Sequence, residues 1–148
     1  MNAEIPENWE AEAEAFVRHF ASTEGATVEQ RQLNEILVAF RMRPLASGAA
    51  PMSLIVSPYE VIVEAGRATR FELDPLPLSG DEVKDILDAV AAGRLNERAG
   101  WFGVKFKLDL RSGRTLSGRV VGRGVQRGTV RYQPYQSQAG DASEPSES

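Results

Sequence analysis

Nine basic side chains fall between Arg98 and Arg131, and Asp109 is the only acid among them. They are Arg98, Lys105, Lys107, Arg111, Arg114, Arg119, Arg123, Arg127 and Arg131. Cations gathered this way bind anions, Arg through a two-pronged fork and Lys as a point charge. Residues 1–97 carry 8 basic and 17 acidic side chains, and Asp141, Glu144 and Glu147 follow the basic segment. A net charge of −4 therefore hides a strongly basic C-terminal third. Such sorting marks a surface that meets a charged partner, or two surfaces that meet each other.

The other candidate groups are weaker. Asp81, Asp85 and Asp88 recur at i, i+4 and i+7, a carboxylate stripe along one helix face. Hard cations use such clusters, but no Gly-rich loop here supplies further oxygens. The stripe also lies opposite Val83, Ile86, Leu87 and Val90, so it reads as a solvated acidic face for a basic partner. Gly118 to Gly128 is rich in glycine and arginine, yet it lacks the spacing of a dinucleotide fingerprint or phosphate loop. Its Arg119, Arg123 and Arg127 could grip a nucleic-acid backbone, or simply keep an edge strand soluble. His19 is the lone histidine, and the chain has no cysteine, so no metal site, thiol chemistry or cofactor is expected. No nucleophile elbow or His-Glu-x-x-His motif is present. An enzyme reading would rest on Glu60, Glu64 or Glu72 entering a sheet-lined cavity as a carboxylate base.

These groups need elements to carry them. A first helix is expected from about Glu7 to Thr23, with Ala13, Phe16, Val17 and Phe20 on one face and Gly25 as its stop. Thr27 to Gln30 matches a capping box, which predicts a second helix to about Met42 with Leu33, Ile36, Leu37 and Phe40 inward. Ser53–Ser57 reads as a strand. Tyr59–Ala65 then alternates and opens a hairpin. A three-residue loop, Gly66-Arg67-Ala68, would set Val63 opposite Phe71, Val61 opposite Leu73 and Glu64 opposite Arg70. Ser79 to Glu82 matches another capping box and predicts a third helix over about Asp81–Ala92.

The basic third reads as β-structure. Phe102, Val104, Phe106, Leu108 and Leu110 alternate with Gly103, Lys105, Lys107 and Asp109. A loop at Ser112-Gly113-Arg114 would place Phe106 opposite Val120 and Lys107 opposite Arg119. A last strand over Thr129–Gln133 would turn Val130 and Tyr132 inward and Arg131 outward. In that register Lys105, Lys107, Arg119 and Arg131 share one outer face, while Phe102, Phe106 and Tyr132 occupy the other.

The expected fold is α+β, in the order α-α-β-β-β-α-β-β-β: two N-terminal helices and a third packed on a mainly antiparallel sheet. Residues 1–135 form the domain and 136–148 a disordered polar tail. Met1 to Glu14 lacks the pattern of a secretory signal, and no apolar run approaches the roughly twenty residues of a membrane span, so a cytoplasmic protein is expected. The function these features favour is non-catalytic binding of a macromolecule, in an inhibitor, immunity-type or adaptor role. The partner would meet a basic face of Lys105, Lys107, Arg119, Arg123, Arg127 and Arg131 or an acidic face of Asp81, Asp85 and Asp88. A protein partner leads, a nucleic acid is the alternative, and a homo-oligomer is compatible with both.

Overall fold

The computed structural model describes residues 9–76, 78–121 and 128–136. The first helix, α1 (Trp9–Glu24), buries Ala13, Val17, Phe20 and Ala21, one stripe at helical spacing. Glu10 and Glu12 lie in its first turn, where the helix dipole favours anions. Gly25, at φ +80°, closes it by donating its amide to the Ala21 carbonyl at 2.9 Å.

Five strands follow: β1 (Ala26–Asn34), β2 (Leu37–Pro44), β3 (Met52–Val56), β4 (Val61–Ala65) and β5 (Thr69–Leu73). They pair in that order as an antiparallel meander. The helix expected to end near Met42 is thus the β1–β2 hairpin. Its supposed stripe does not hold, for Leu33 and Ile36 are exposed at the hairpin tip. Period-two alternation wins instead: Val38, Phe40 and Met42 are buried while Arg41 and Arg43 are exposed. The turn is set by Asn34, whose Oδ1 accepts the Ile36 amide at 2.8 Å. Thr27 caps no helix; it pairs across the ladder with Arg43. The β4–β5 register is the expected one, Val63 opposite Phe71, Val61 opposite Leu73 and Glu64 opposite Arg70. The strand begins at Val61 rather than Tyr59, because the Ser57 hydroxyl gathers the Tyr59 and Glu60 amides into a turn.

The second helix, α2 (Gly80–Ala91), buries Val83, Ile86, Leu87 and Val90. No capping box forms at its start: the Ser79 hydroxyl donates to the Asp74 carbonyl rather than accepting a helix amide. Four more strands build a second antiparallel sheet: β6 (Leu95–Gly100), β7 (Gly103–Asp109), β8 (Thr115–Val120) and β9 (Gly128–Arg131), in the order β8-β7-β6-β9. The chain is therefore α+β with two helices, not three, and runs α-β-β-β-β-β-α-β-β-β-β among the described residues.

The second sheet corrects three further expectations. Strand β6 was not anticipated. The β7–β8 loop is Arg111-Ser112-Gly113, one residue earlier than expected, so Phe106 faces Gly118 and Lys107 faces Ser117. The slip is two residues in register, so every side chain keeps its face. Gly118 is needed there, because a Cβ would lie 2.7 Å from the Phe106 ring. Finally, Phe102 is not inward in a strand; it belongs to the β6–β7 turn and is exposed.

Side chains from both helices and both sheets form one apolar core. Phe71 of β5 meets Phe106 of β7 edge to face at 5.2 Å, joining the sheets. Tyr135 is buried and its hydroxyl donates to the Ala50 carbonyl, anchoring the chain after β9. The expected tail, 136–148, lies outside the described residues apart from Gln136, whose amide reaches the Thr23 carbonyl at 2.6 Å. Among the described residues no helix is long and apolar enough to cross a membrane. Because Phe106 is packed against the partner sheet, Phe106→Ala should destabilise the protein by about 3–5 kcal/mol in urea unfolding.

Candidate functional site

The outer face of the second sheet is built by alternation. On β6, Leu95, Glu97 and Ala99 are buried, so Asn96 and Arg98 point outward. On β7, Val104, Phe106 and Leu108 are buried, so Lys105 and Lys107 point outward. Arg119 of β8 and Arg131 of β9 complete the set, and all five cations are exposed. The ladder fixes their positions. Arg98 stands directly opposite Lys105, and Lys105 directly opposite Arg119. One strand position away along the sheet, Arg131 and Lys107 flank Asn96. The cations line a depression of about 640 Å³. None of the five forms an ion pair with another described residue. Asp109, bonded to the Thr115 hydroxyl, stands at the far end of the same face.

The first sheet treats its charges in the opposite way. On its outer face Arg41 stands opposite Glu29, and Glu64 opposite Arg70. Arg70 pairs with Glu64 at 3.2 Å and with Glu72 at 3.3 Å, and Arg43 reaches Glu29 at 3.8 Å. Glu64 and Glu72 are thus surface ion-pair partners, and Glu60 is exposed in a turn.

Of the remaining anticipated residues, Arg123 and Arg127 lie outside the described residues. Asp81 and Asp85 are exposed on α2, and Asp88 accepts the Lys84 ammonium at 2.9 Å. Partial burial, reinforced by Asp88, pushes the nearby Glu24 carboxyl above its ordinary value. His19 is exposed on α1. No group of three or more His, Asp or Glu side chains that could hold a metal ion occurs among the described residues.

Sequence reasoning placed the aromatics away from the cations. Trp101 and Phe102 instead occupy the β6–β7 turn, 79% and 78% exposed. They share a second depression, about 260 Å³, with Arg98, Lys105 and Arg119. The signal was present: Gly100 and Gly103 bracket the pair, and Gly103 adopts φ +140° with no room for a Cβ beside the Val120 carbonyl.

A second missed residue is Glu97, a carboxylate with 0% exposure. It accepts the Arg67, Ala68 and Thr69 amides at 2.8–2.9 Å, the Thr69 hydroxyl at 2.7 Å and the Tyr132 hydroxyl at 2.6 Å. The Arg67 guanidinium lies 3.7 Å away. Burial opposes ionisation, but the bonds from Thr69, Tyr132 and the turn amides outweigh it and hold the carboxyl below its ordinary value. The same burial and the adjacent carboxylate push the Tyr132 phenol up. With every donor aimed at the carboxylate, Glu97 serves as a clamp rather than as a free base.

Comparison with protein families, curated proteins and solved structures finds no match to this chain.

The clamp predicts a pH dependence. Glu97 favours the folded state when ionised, so its contribution is complete above the unfolded carboxylate value, about 4.3. It is lost as pH falls through the lower folded value. Glu97→Gln should cost about 3 kcal/mol at neutral pH, because the bonds it removes are charge-assisted. Unfolding curves of the variant below about pH 4 should also lose part of the acid sensitivity of the wild type.

Proposed function

We propose that the protein is a non-catalytic binding module whose working surface is the basic outer face of the second sheet. Its partner is a macromolecule bearing many negative charges, and we place the encounter in the cytoplasm, a setting that suits a cysteine-free chain. The observation that carries this reading is the row Arg98–Lys105–Arg119, three like charges directly opposite one another across three strands. Like charges so placed destabilise a sheet. The first sheet avoids that arrangement by pairing Glu64 with Arg70.

Protection of a sheet edge does not account for the row. Charged residues do blunt exposed edges. In the order β8-β7-β6-β9, however, β6 and β7 are central strands. Arg98, Lys105 and Lys107 therefore guard no edge, and a bound polyanion is what relieves their repulsion. The acidic stripe of α2 does not supply that relief within the chain, because α2 packs against the inner side of β7 through its apolar face.

The test sets stability against binding. Lys105→Glu places a carboxylate between Arg98 and Arg119 and should raise folding stability by about 0.2–1 kcal/mol in urea unfolding. The reversal Lys105→Glu, Lys107→Glu, Arg119→Glu should abolish retention on heparin, while the wild type elutes progressively earlier as salt rises. A reversed protein that folds and is retained like the wild type would refute the basic face as the binding surface.

A further inference from the structure

Resting on that reading, we infer that the partner is a single-stranded nucleic acid, whose phosphates follow the cation rows and whose bases stack on Phe102 and Trp101. Three observations converge. First, Trp101 and Phe102 are largely exposed, although aromatic side chains of this size are mostly buried. Secondly, they stand beside the cations rather than apart from them. They share one depression with Arg98, Lys105 and Arg119, so stacking surface and cations are offered to the same ligand. Thirdly, two of the five cations on the face are lysines, and Lys107 lies on a central strand beside Ser117 and Asn96. Lysine is depleted from protein–protein interface cores, which favour Arg and aromatic anchors. It serves well as a point charge for phosphate.

The geometry suits a strand rather than a duplex. Neighbouring strands of a sheet lie about 4.8 Å apart, and outward residues on one strand recur every ~6.8 Å. Arg98, Lys105 and Arg119 thus step across the sheet while Lys107 and Arg131 step along it, giving positive charge in both directions of a surface track. A duplex presents phosphates but keeps its base faces stacked inside, and would leave Phe102 and Trp101 unused. A single strand exposes both, and aromatic stacking on such bases tolerates any sequence. An acidic protein would answer the cations, but its carboxylates offer no ring face to the aromatic pair.

Fluorescence anisotropy with a labelled twelve-nucleotide oligothymidylate or oligouridylate, an equally long duplex and polyglutamate tests this. The single strand should bind at least about tenfold more tightly than the duplex or polyglutamate. Phe102→Ala combined with Trp101→Ala should weaken single-strand binding about tenfold or more, the scale of base–aromatic stacking, and leave heparin retention unchanged. In a Trp9→Phe background the fluorescence of Trp101 should be quenched by the oligonucleotide, which reports stacking directly. Two results overturn the inference while leaving the basic face in place. One is equal binding of all three polymers with no effect of the aromatic substitutions, lost only on charge reversal. The other is preferential binding of polyglutamate, which points to an acidic protein. No binding to any polyanion, heparin included, would overturn both readings together.

Discussion

Glu97 carries a buried charge, and that charge is tolerated because a hairpin from the other sheet brings it three backbone amides and a hydroxyl. An unpaired carboxylate there would be prohibitive, since desolvating an ion costs several kcal/mol even after relaxation. The turn Gly66-Arg67-Ala68 must therefore dock against β6. Gly66 is part of that requirement: at φ +63° a Cβ would lie 2.8 Å from the Glu97 carboxylate and 2.9 Å from the Tyr132 hydroxyl. Tyr132 follows β9 and ties it into the same cluster. One side chain thus joins β4–β5, β6 and the segment after β9. It also sets the basic face, because Glu97 inward forces Asn96 and Arg98 outward.

The two sheets show two treatments of surface charge. The first cancels charges by cross-strand ion pairs, Glu64 with Arg70 and Glu29 with Arg43. Those pairs are exposed and contribute modestly, but they leave the face close to neutral. The second sheet sets Arg98, Lys105 and Arg119 side by side. Screening by salt reduces the repulsion in solution, and a bound polyanion removes it more completely. On the proposed reading, affinity for a polyanion thus arises from an electrostatic cost of the free protein that binding reverses.

Much of this was legible in the sequence where a single period ran without interruption. The alternation of β7 gave the outward placement of Lys105 and Lys107, and the Glu64–Arg70 pair selected the correct β4–β5 register. The β7–β8 register was missed by two residues because Phe106 packs over Gly118, a match of large against absent that hydrophobic pairing rules do not favour. Strand β6 was hidden by its own clamp: Leu95, Glu97 and Ala99 alternate, but a carboxylate in the buried slot breaks the apolar pattern. The β1–β2 hairpin was read as a helix because Leu33, Ile36, Leu37 and Phe40 happen to fall at helical spacing. Long-range strand pairing overrides such local coincidences. Phe102 was misplaced by extending the β7 alternation one residue past Gly103, whose positive φ ends it.

The acidic half of the chain bears on what the basic face can accept. A second copy could offer its α2, where Asp81, Glu82 and Asp85 are exposed while Asp88 is already paired with Lys84. Three carboxylates on one helix are a poor match for five cations spread over four strands. Such a contact would also join unlike surfaces, which builds open chains unless the rotation happens to close a ring. The remaining acids of the first sheet are committed, Glu29 to Arg43 and both Glu64 and Glu72 to Arg70. We therefore propose that the basic face is answered from outside the chain rather than by a second copy. The strand acids of the first sheet are paired and Asp81, Glu82 and Asp85 lie on the exposed side of α2, so on that proposal the basic sheet is the face whose charge calls for a ligand from outside the chain.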